Sequence, residues 1–320
     1  MPQVLIPDNL DNDGLALLAK VDGLTYYAPG KMSRDEVITA IADADAMIVR
    51  SGTKCDAELL SYAEKLKVIV RAGVGVDNID LEAATAKGIV VMNTPGGNTI
   101  ATAELTIGLM LALARHIPQA QASLRSGKWE RKKFTGTELY RKTLGLIGFG
   151  RIGQAVAKRA QAFEMTVIAH DPYANTAIAE QMGVPLLSLD EVFAGADYIS
   201  LHALVTSETK NLICAENIAK MRDGVRIINA ARGALINEYD LAEAIKSGKV
   251  AGAAVDVYTE EPPPPNHPLI GLENVVDTPH LGASTAEAQI AVAVEAAEKV
   301  IAALTKGTYQ DVCNPEVLKQ

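Results

Sequence analysis

The sequence is short of several things, and each shortage closes off a class of function. Cysteine is scarce: Cys55, Cys214 and Cys313 are odd in number and far apart. They make neither a metal-ligand spacing nor a disulfide framework, so no metal is expected and a reducing cytoplasm is the compartment they suit. Positive charge is in deficit, with 30 Lys and Arg against 39 Asp and Glu and a net charge of −9. That balance argues against nucleic acid or an anionic membrane as a partner, while leaving room for a local basic pocket around a small anion. Long hydrophobic runs are missing. The most apolar stretch, residues 100–114, contains Glu104 and is too short to span a bilayer, so it reads as a buried helix. The first eight residues, MPQVLIPD, lack a basic region followed by an apolar core and read as a first strand. There is no internal repeat, and the prolines 262–265 form the one low-complexity tract.

Aromatics are also few, at 4%, whereas Ala, Val, Ile and Gly abound, a mix suited to α/β layers with tightly packed helices. At 320 residues the chain exceeds the length at which one core usually keeps growing, so two domains are expected. Residues 4–6, 24–27, 46–49, 68–71 and 90–92 read as strands, with helices at 10–20, 33–42, 57–64 and 81–87 between them. That alternation predicts parallel βαβ units. A long helical pattern over 100–116 should leave this first domain. Residues 117–141 then break the rhythm with Pro118, Gly127, the single Trp129 and the basic run Arg131-Lys132-Lys133. They read either as a solvated connector or, because Trp129 and Phe134 flank the charges, as an arm packing on a second subunit. A second α/β series follows, with strands at 144–147, 166–169, 198–201, 226–229, 253–257 and 275–277 and helices that include 154–163 and 241–246. Ser284 precedes Glu287 by three, a capping box that should open a last helix through about residue 304, returning the chain to the first domain. Two crossing segments would leave a cleft between the domains.

Gly148-Phe149-Gly150-Arg151-Ile152-Gly153 is the first motif that carries chemistry. Alone, such glycines are common in turns. Here an apolar strand precedes them, a helix follows, and the next strand ends at Asp171, at the separation a dinucleotide fingerprint requires. Gly148 permits the tight turn, Gly150 lets the backbone approach a pyrophosphate, and Gly153 lets the helix sit close on the strand. The amides of Arg151 and Ile152 would face the phosphate charge. The Asp171 carboxylate would accept from the ribose hydroxyls and repel a 2′-phosphate, so NAD is the expected cofactor rather than NADP.

Beyond the fingerprint, Arg232, Glu261 and His280 stand at or just past the ends of expected strands, where an open parallel sheet lines its ligand crevice. A base, a cation and a carboxylate that holds the base are what hydride exchange with a hydroxy acid needs besides the cofactor. Spacing alone leaves open a capping histidine and a loop glutamate.

Residues 148–153, 229–233 with Glu238, 256–262 and 278–285 resemble the signature segments of the D-isomer-specific 2-hydroxyacid dehydrogenases. Residues 71–80, 93–95 and 129–134 resemble the phosphoglycerate-oxidising branch of that family. The resemblance covers nearly the whole chain and implies two doubly wound parallel-sheet α/β domains. A Rossmann NAD-binding domain (100–283, with a dimerisation arm at about 117–141) would be inserted into a flavodoxin-like substrate domain (1–99 and 284–320). It implies that His280 exchanges the hydroxyl proton, that Glu261 stabilises the imidazolium, and that Arg232 binds the substrate carboxylate. Asp256 would orient the nicotinamide carboxamide, and Val74, His202, Ala203, Ala230, Ala231, Gly282 and Ala283 would also line the cofactor. The implied substrate site takes Arg50, Ser51, Arg71, Gly73, Val74, Gly75 and Asn98, with Arg232 and His280, and Arg131 from a partner subunit's arm.

Several arginines in an acidic chain suit a phosphate dianion, although Arg50 and Arg71 also read as merely solvated. The implied reaction is oxidation of D-3-phosphoglycerate to 3-phosphohydroxypyruvate, the entry step of serine synthesis, in a homodimer or dimer of dimers. Two departures stand out: Ala203-Leu204 replaces a frequent Thr-Pro after His202, and Val74 stands where Thr can occur. With the sequence ending at Gln320, feedback through an appended regulatory domain is not expected. The alternatives are a broader 2-hydroxyacid dehydrogenase or hydroxypyruvate/glyoxylate reductase and, from a different class, an NAD-sensing transcriptional corepressor.

Overall fold

The computed structural model describes residues 1–319, which divide into two compact units, 1–98 with the residues from 283 onward, and 99–282. Relative to the expected boundaries, Thr99 and Ala283 each fall on the other side. In unit 1 the chain runs β1 (Gln3–Leu5), α1 (Asn12–Ala19), β2 (Thr25–Tyr27), α2 (Arg34–Ile41), β3 (Ala46–Val49), α3 (Ala57–Ser61), β4 (Val68–Arg71), α4 (Leu81–Ala86) and β5 (Val90–Asn93). All pairings are parallel and the strand order is β2-β1-β3-β4-β5, the 2-1-3-4-5 order of flavodoxin-like sheets. Period-two alternation of buried residues feeds both faces. Val4, Ile48 and Val70 pack with Leu18 of α1 and with Val292, Ala296 and Val300 of the final helix, α12 (Ala286–Lys306). Leu5, Met47 and Ile69 pack with Val37, Leu59 and Ala84 of α2, α3 and α4.

Unit 2 begins with α5 (Thr99–Arg115) and α6 (Ile117–Arg125) and continues through β6 (Thr143–Ile147), α7 (Arg151–Ala162), β7 (Thr166–His170), α8 (Thr176–Gln181), α9 (Leu189–Gly195), β8 (Tyr198–Leu201) and α10 (Ala215–Lys220). It closes with β9 (Val225–Asn229), the 3-10 turn Gly233–Leu235, α11 (Glu238–Lys246), β10 (Val250–Val255) and β11 (Val275–Asp277). The sheet order is β11-β10-β9-β8-β6-β7, all parallel. A single parallel bridge joins Ala169 of β7 to Leu186, a third edge strand reduced to one residue pair. Counting it, the order is the 3-2-1-4-5-6 arrangement of dinucleotide-binding sheets with one strand added. One face buries α5 and α7 against Leu144, Leu146 and Ile228. The other buries Phe193, Ile218 and Leu241 of α9, α10 and α11 against Ile199, Ile227 and Val255.

Three local expectations need correction. The expected long helix ends at Arg115 because His116 turns left-handed (φ 52). Residues 117–125, expected as an irregular arm, then form α6, with Pro118 in its first turn, where a missing amide costs nothing. The strand expected at 253–257 ends at Val255, leaving Asp256 beyond the ladder. The capping box at Ser284 and Glu287 does not form. Thr285 is the cap of α12 and accepts from the Ala288 amide, so Ser284 lies one residue outside the helix. No single helix among the described residues is long and apolar enough to cross a membrane.

Candidate active site

The glycine loop leaves the carboxyl end of β6, the strand with β7 on one side and β8 on the other, where the direction of winding reverses and ligands gather. Gly148 has φ +96, and a Cβ there would sit 2.5 Å from the His202 backbone. A Cβ on Gly153 would sit 2.4 Å from the Gly148 carbonyl oxygen, so α7 approaches the loop as only glycine permits. Beside Gly150 no atom lies within 4 Å of a Cβ position, which leaves the helix start open. The amides at the start of α7 have no intrahelical acceptor and, with the helix dipole, form a seat for a pyrophosphate. Asp171, just past β7, accepts from the Phe149 amide through Oδ2 and from the Tyr173 amide through Oδ1, each at 2.8 Å. Its carboxylate therefore braces the glycine loop.

His202 follows β8. Its Nε2 is 2.9 Å from the Ser200 hydroxyl, its Nδ1 is buried without a partner, and burial pushes its pKa down to about 4. The imidazole is thus neutral at physiological pH. Ala203 follows it half-buried, and Ala230 and Ala231 cap the end of β9, held there by Asn229, whose Oδ1 accepts from the Ala231 amide at 3.1 Å. An orphaned ring nitrogen, amides open at a helix start and an acid at the end of β7 are a donor and acceptor set that fits a dinucleotide.

Unit 2 also brings Glu261 and His280 together. His280 Nδ1 lies 2.6 Å from Glu261 Oε2, and Glu261 Oε1 accepts from the Tyr258 amide at 3.1 Å. Burial alone would raise the Glu261 carboxyl and is the largest single influence. The His280 hydrogen bond, the Tyr258 amide and the fields of His280 and Arg232 together outweigh it, so Glu261 stays below its ordinary value. His280 adopts φ 56, a left-handed conformation that is costly for a non-glycine residue. Its amide donates to the Asp256 carbonyl at 2.8 Å. Arg232 caps the Gly233–Leu235 turn, with Nη1 on the Ala231 carbonyl at 2.7 Å and its own carbonyl on the Asn229 side chain at 2.8 Å.

Asp256 is fully buried, and its carboxylate accepts from the Thr278 hydroxyl, the Leu281 amide and the Gly282 amide at 2.6, 2.7 and 2.8 Å. Three donors tie it to the 278–282 segment, so it holds the turn that carries His280. Gly282 is buried in that turn, its carbonyl taken by Thr102 at 3.0 Å; Ala283 belongs to unit 1.

In unit 1, the Arg50 guanidinium donates to the Asn9 carbonyl at 3.0 Å and to the Gln289 side chain, while Ser51 is exposed. The Arg71 side chain lies over Gly73. The Gly73 carbonyl accepts from the Thr94 amide at 3.0 Å and the Val74 carbonyl from Asn93 Nδ2 at 2.6 Å. Among the described residues the Val74 and Gly75 amides donate to no backbone carbonyl, whereas the Gly73 amide donates to the Arg71 carbonyl at 2.9 Å. Asn98 keeps Oδ1 buried without a partner. In unit 2, Arg131 is exposed, Trp129 is 77% exposed, and Lys133 pairs with Glu273 at 2.9 Å. Sequence reasoning missed Asn93, Asn229 and Tyr258, whose work is done through backbone contacts that no spacing announces.

Comparison with known proteins agrees with this geometry. The chain is 52% identical over 299 residues to the D-3-phosphoglycerate dehydrogenase of Archaeoglobus fulgidus, covering 93% of this chain and 56% of that protein. It is 51% identical over 315 residues to the D-3-phosphoglycerate dehydrogenase of Methanocaldococcus jannaschii, covering 98% and 60%. The chain therefore spans somewhat more than half the length of these curated relatives. The crystal structure of a glyoxylate reductase from Paecilomyes thermophila superimposes with a TM-score of 0.88 at 31% identity, covering 98% of this chain and 99% of that one. Residues 107–282, nearly all of unit 2, match the family described as D-isomer specific 2-hydroxyacid dehydrogenase, NAD binding domain. A sheet wound for a dinucleotide, a glycine loop braced by Asp171 and a likeness that runs along nearly the whole of this chain agree: the chain belongs to the D-isomer-specific 2-hydroxyacid dehydrogenase family.

Proposed function

We propose that this chain is an NAD-dependent oxidoreductase that oxidises carbon 2 of a D-2-hydroxy acid, with D-3-phosphoglycerate as substrate and 3-phosphohydroxypyruvate as product. The observation that carries the reading is the 2.6 Å contact between His280 Nδ1 and Glu261. It anchors one ring nitrogen on a carboxylate, while no hydrogen bond among the described residues uses the other. His280 Nε2 takes the substrate hydroxyl proton, Glu261 stabilises the resulting imidazolium, and Arg232 binds the carboxylate as a planar cation with several donors. In reduction the proton returns along the same path. The glycine loop, the start of α7, Asp171 and His202 would hold NAD, which supplies the hydride acceptor.

The substrate assignment rests on the other unit and on the relatives. The Val74 and Gly75 amides, which meet no backbone carbonyl among the described residues, suit a carboxylate. Arg50 forms no ion pair among the described residues, which leaves its charge for a phosphate, with Arg71 nearby in sequence and Arg131 supplied by the arm of a second copy in a homodimer. The phosphoglycerate dehydrogenases named above support the same choice. Likeness to a glyoxylate reductase favours a second reading, a reductase of small 2-oxo acids.

A substrate panel followed by NADH absorbance decides between them. Phosphoglycerate and phosphohydroxypyruvate should give the highest kcat/KM, and Arg50→Ala should raise KM for the phosphorylated substrate far more than for hydroxypyruvate. His280→Ala should lower kcat by about 10²–10⁴-fold while NADH still binds. Near-normal turnover in that variant overturns the chemistry; a preference for glyoxylate overturns the substrate.

A further inference from the structure

Behind Arg232, Glu261 and His280 lies a second layer of polar groups that neither proton transfer nor cofactor binding uses. Glu238 is the first residue of α11, and its side chain is 14% exposed. Its Oε1 accepts from the Thr259 amide at 2.8 Å. Its Oε2 lies 3.0 Å from Nε2 of His267, which is 3% exposed. His267 Nδ1 accepts from the Leu269 amide at 3.3 Å, so the ring proton sits on Nε2, beside the carboxylate but not aligned on it. Sequestering a carboxylate in this way stabilises a fold less than apolar packing of equal volume would, so its purpose is sought in what it holds.

It holds the Tyr258–Thr259 peptide. The Tyr258 amide donates to Glu261. The Tyr258 hydroxyl donates to the Thr278 carbonyl at 3.2 Å, two residues before His280, and its ring meets His267 edge-on with centroids 5.3 Å apart. That hydroxyl stays protonated, because burial first, then the fields of Asp277, Asp256, Glu261 and Glu238, push its pKa up to about 12. On its other side the same peptide abuts Gly233, where a Cβ would lie 2.0 Å from the Tyr258 carbonyl carbon. Arg232 is the preceding residue. Tyr258 thus backs the chain carrying Arg232 with its carbonyl, orients the Glu261 carboxylate with its amide and braces the turn ahead of His280 with its hydroxyl.

We propose that Glu238 is a positioning residue for the Arg232–Glu261–His280 set, acting through the Tyr258–Thr259 peptide with His267 beside it; this rests on the oxidoreductase reading above. The Thr259 amide donates to Glu238 Oε1, and the His267 ring flanks Oε2 at 3.0 Å without the alignment of a hydrogen bond. A glutamine end that turned its NH2 toward the Thr259 amide would lose the contact that holds that segment.

The test is a double-mutant cycle between Glu238→Gln and Glu261→Gln, read as kcat, substrate KM and NADH Kd on the best substrate of the panel. A displacement of Glu261 near 1 Å should make Glu238→Gln about tenfold slower in kcat, with KM and NADH Kd unchanged. The double variant should be no slower than Glu261→Gln alone. A kcat equal to the parent's, or losses that multiply, overturns the proposal. His267→Leu, which removes the polar ring beside the Glu238 carboxylate, is the second arm should Glu238→Gln fail to fold. It should lower kcat severalfold, and His267→Gln, which restores a polar group beside Glu238, should recover most of the loss; equal turnover in the two overturns the proposal. An enzyme with no turnover on any 2-hydroxy acid would instead refute the underlying function, so the two failures are distinguishable.

Discussion

His280 is held in a left-handed backbone conformation by three separate contacts: its amide on the Asp256 carbonyl, its ring on Glu261, and the following amides on the Asp256 carboxylate. Such a conformation costs of order 1–3 kcal/mol, so the neighbourhood overdetermines it. Glu261 titrates within this arrangement, and its folded-state value is depressed. The unfolded chain therefore binds more protons, and the stability Glu261 contributes is complete above the ordinary carboxyl value of about 4.3 and disappears as pH falls through the lowered folded value. The Tm gap between the parent and Glu261→Gln should be widest near neutral pH and should close progressively below about pH 4. A gap that stays constant down to pH 3 would show that the pair adds nothing pH-dependent. Arg232, Glu261 and His280 were nameable from the sequence because each follows an apolar run that reads as a strand. The tie from Asp256 to the 278–282 segment was not, because it depends on where those amides come to lie in three dimensions.

Among the elements, strands were the more legible, since β-branched runs such as 46–49 and 68–71 match β3 and β4 residue for residue. Helix ends were less so. Ser284 and Thr285 both offer a hydroxyl before α12, and the sequence favoured Ser284 because Glu287 stands three residues later. The choice between them is set by which residue takes the extended conformation, and that is Thr285 (φ −121, ψ 153). Thr285→Ala should therefore cost about 1 kcal/mol of stability and Ser284→Ala almost none, as read from urea midpoints. The reverse order would reinstate the capping box. Similarly, α6 was hidden because Pro118 reads as a break in the sequence, although in the first turn of a helix it is tolerated.

At the scale of the whole molecule, the segment after α5 is the part whose apolar surface a single chain leaves uncovered. Ile117, Leu124 and Trp129 are 53, 58 and 77% exposed, and exposed apolar groups gathered in one segment mark an association surface. In the homodimer proposed above this surface is shielded. Trp129 is the one tryptophan in the sequence, so its fluorescence should shift to the red as the protein is diluted through the dissociation range. Trp129→Glu should sediment as a monomer. A monodisperse parent monomer at micromolar concentration would remove the arm from the account.

The sequence by itself determined the alternation of strands and helices, the NAD fingerprint and the candidates for base, carboxylate and cation. These are written in local spacing: period two in strands, glycines at a turn, a polar residue just past an apolar run. Only the tertiary structure decided that Asp256 holds the 278–282 turn, that Asp171 braces the glycine loop, and that Glu238, with His267 beside it, holds the peptide behind Glu261. Each of those depends on residues brought together from distant parts of the sequence by parallel crossovers, and a buried polar group goes wherever the folded backbone offers its donors.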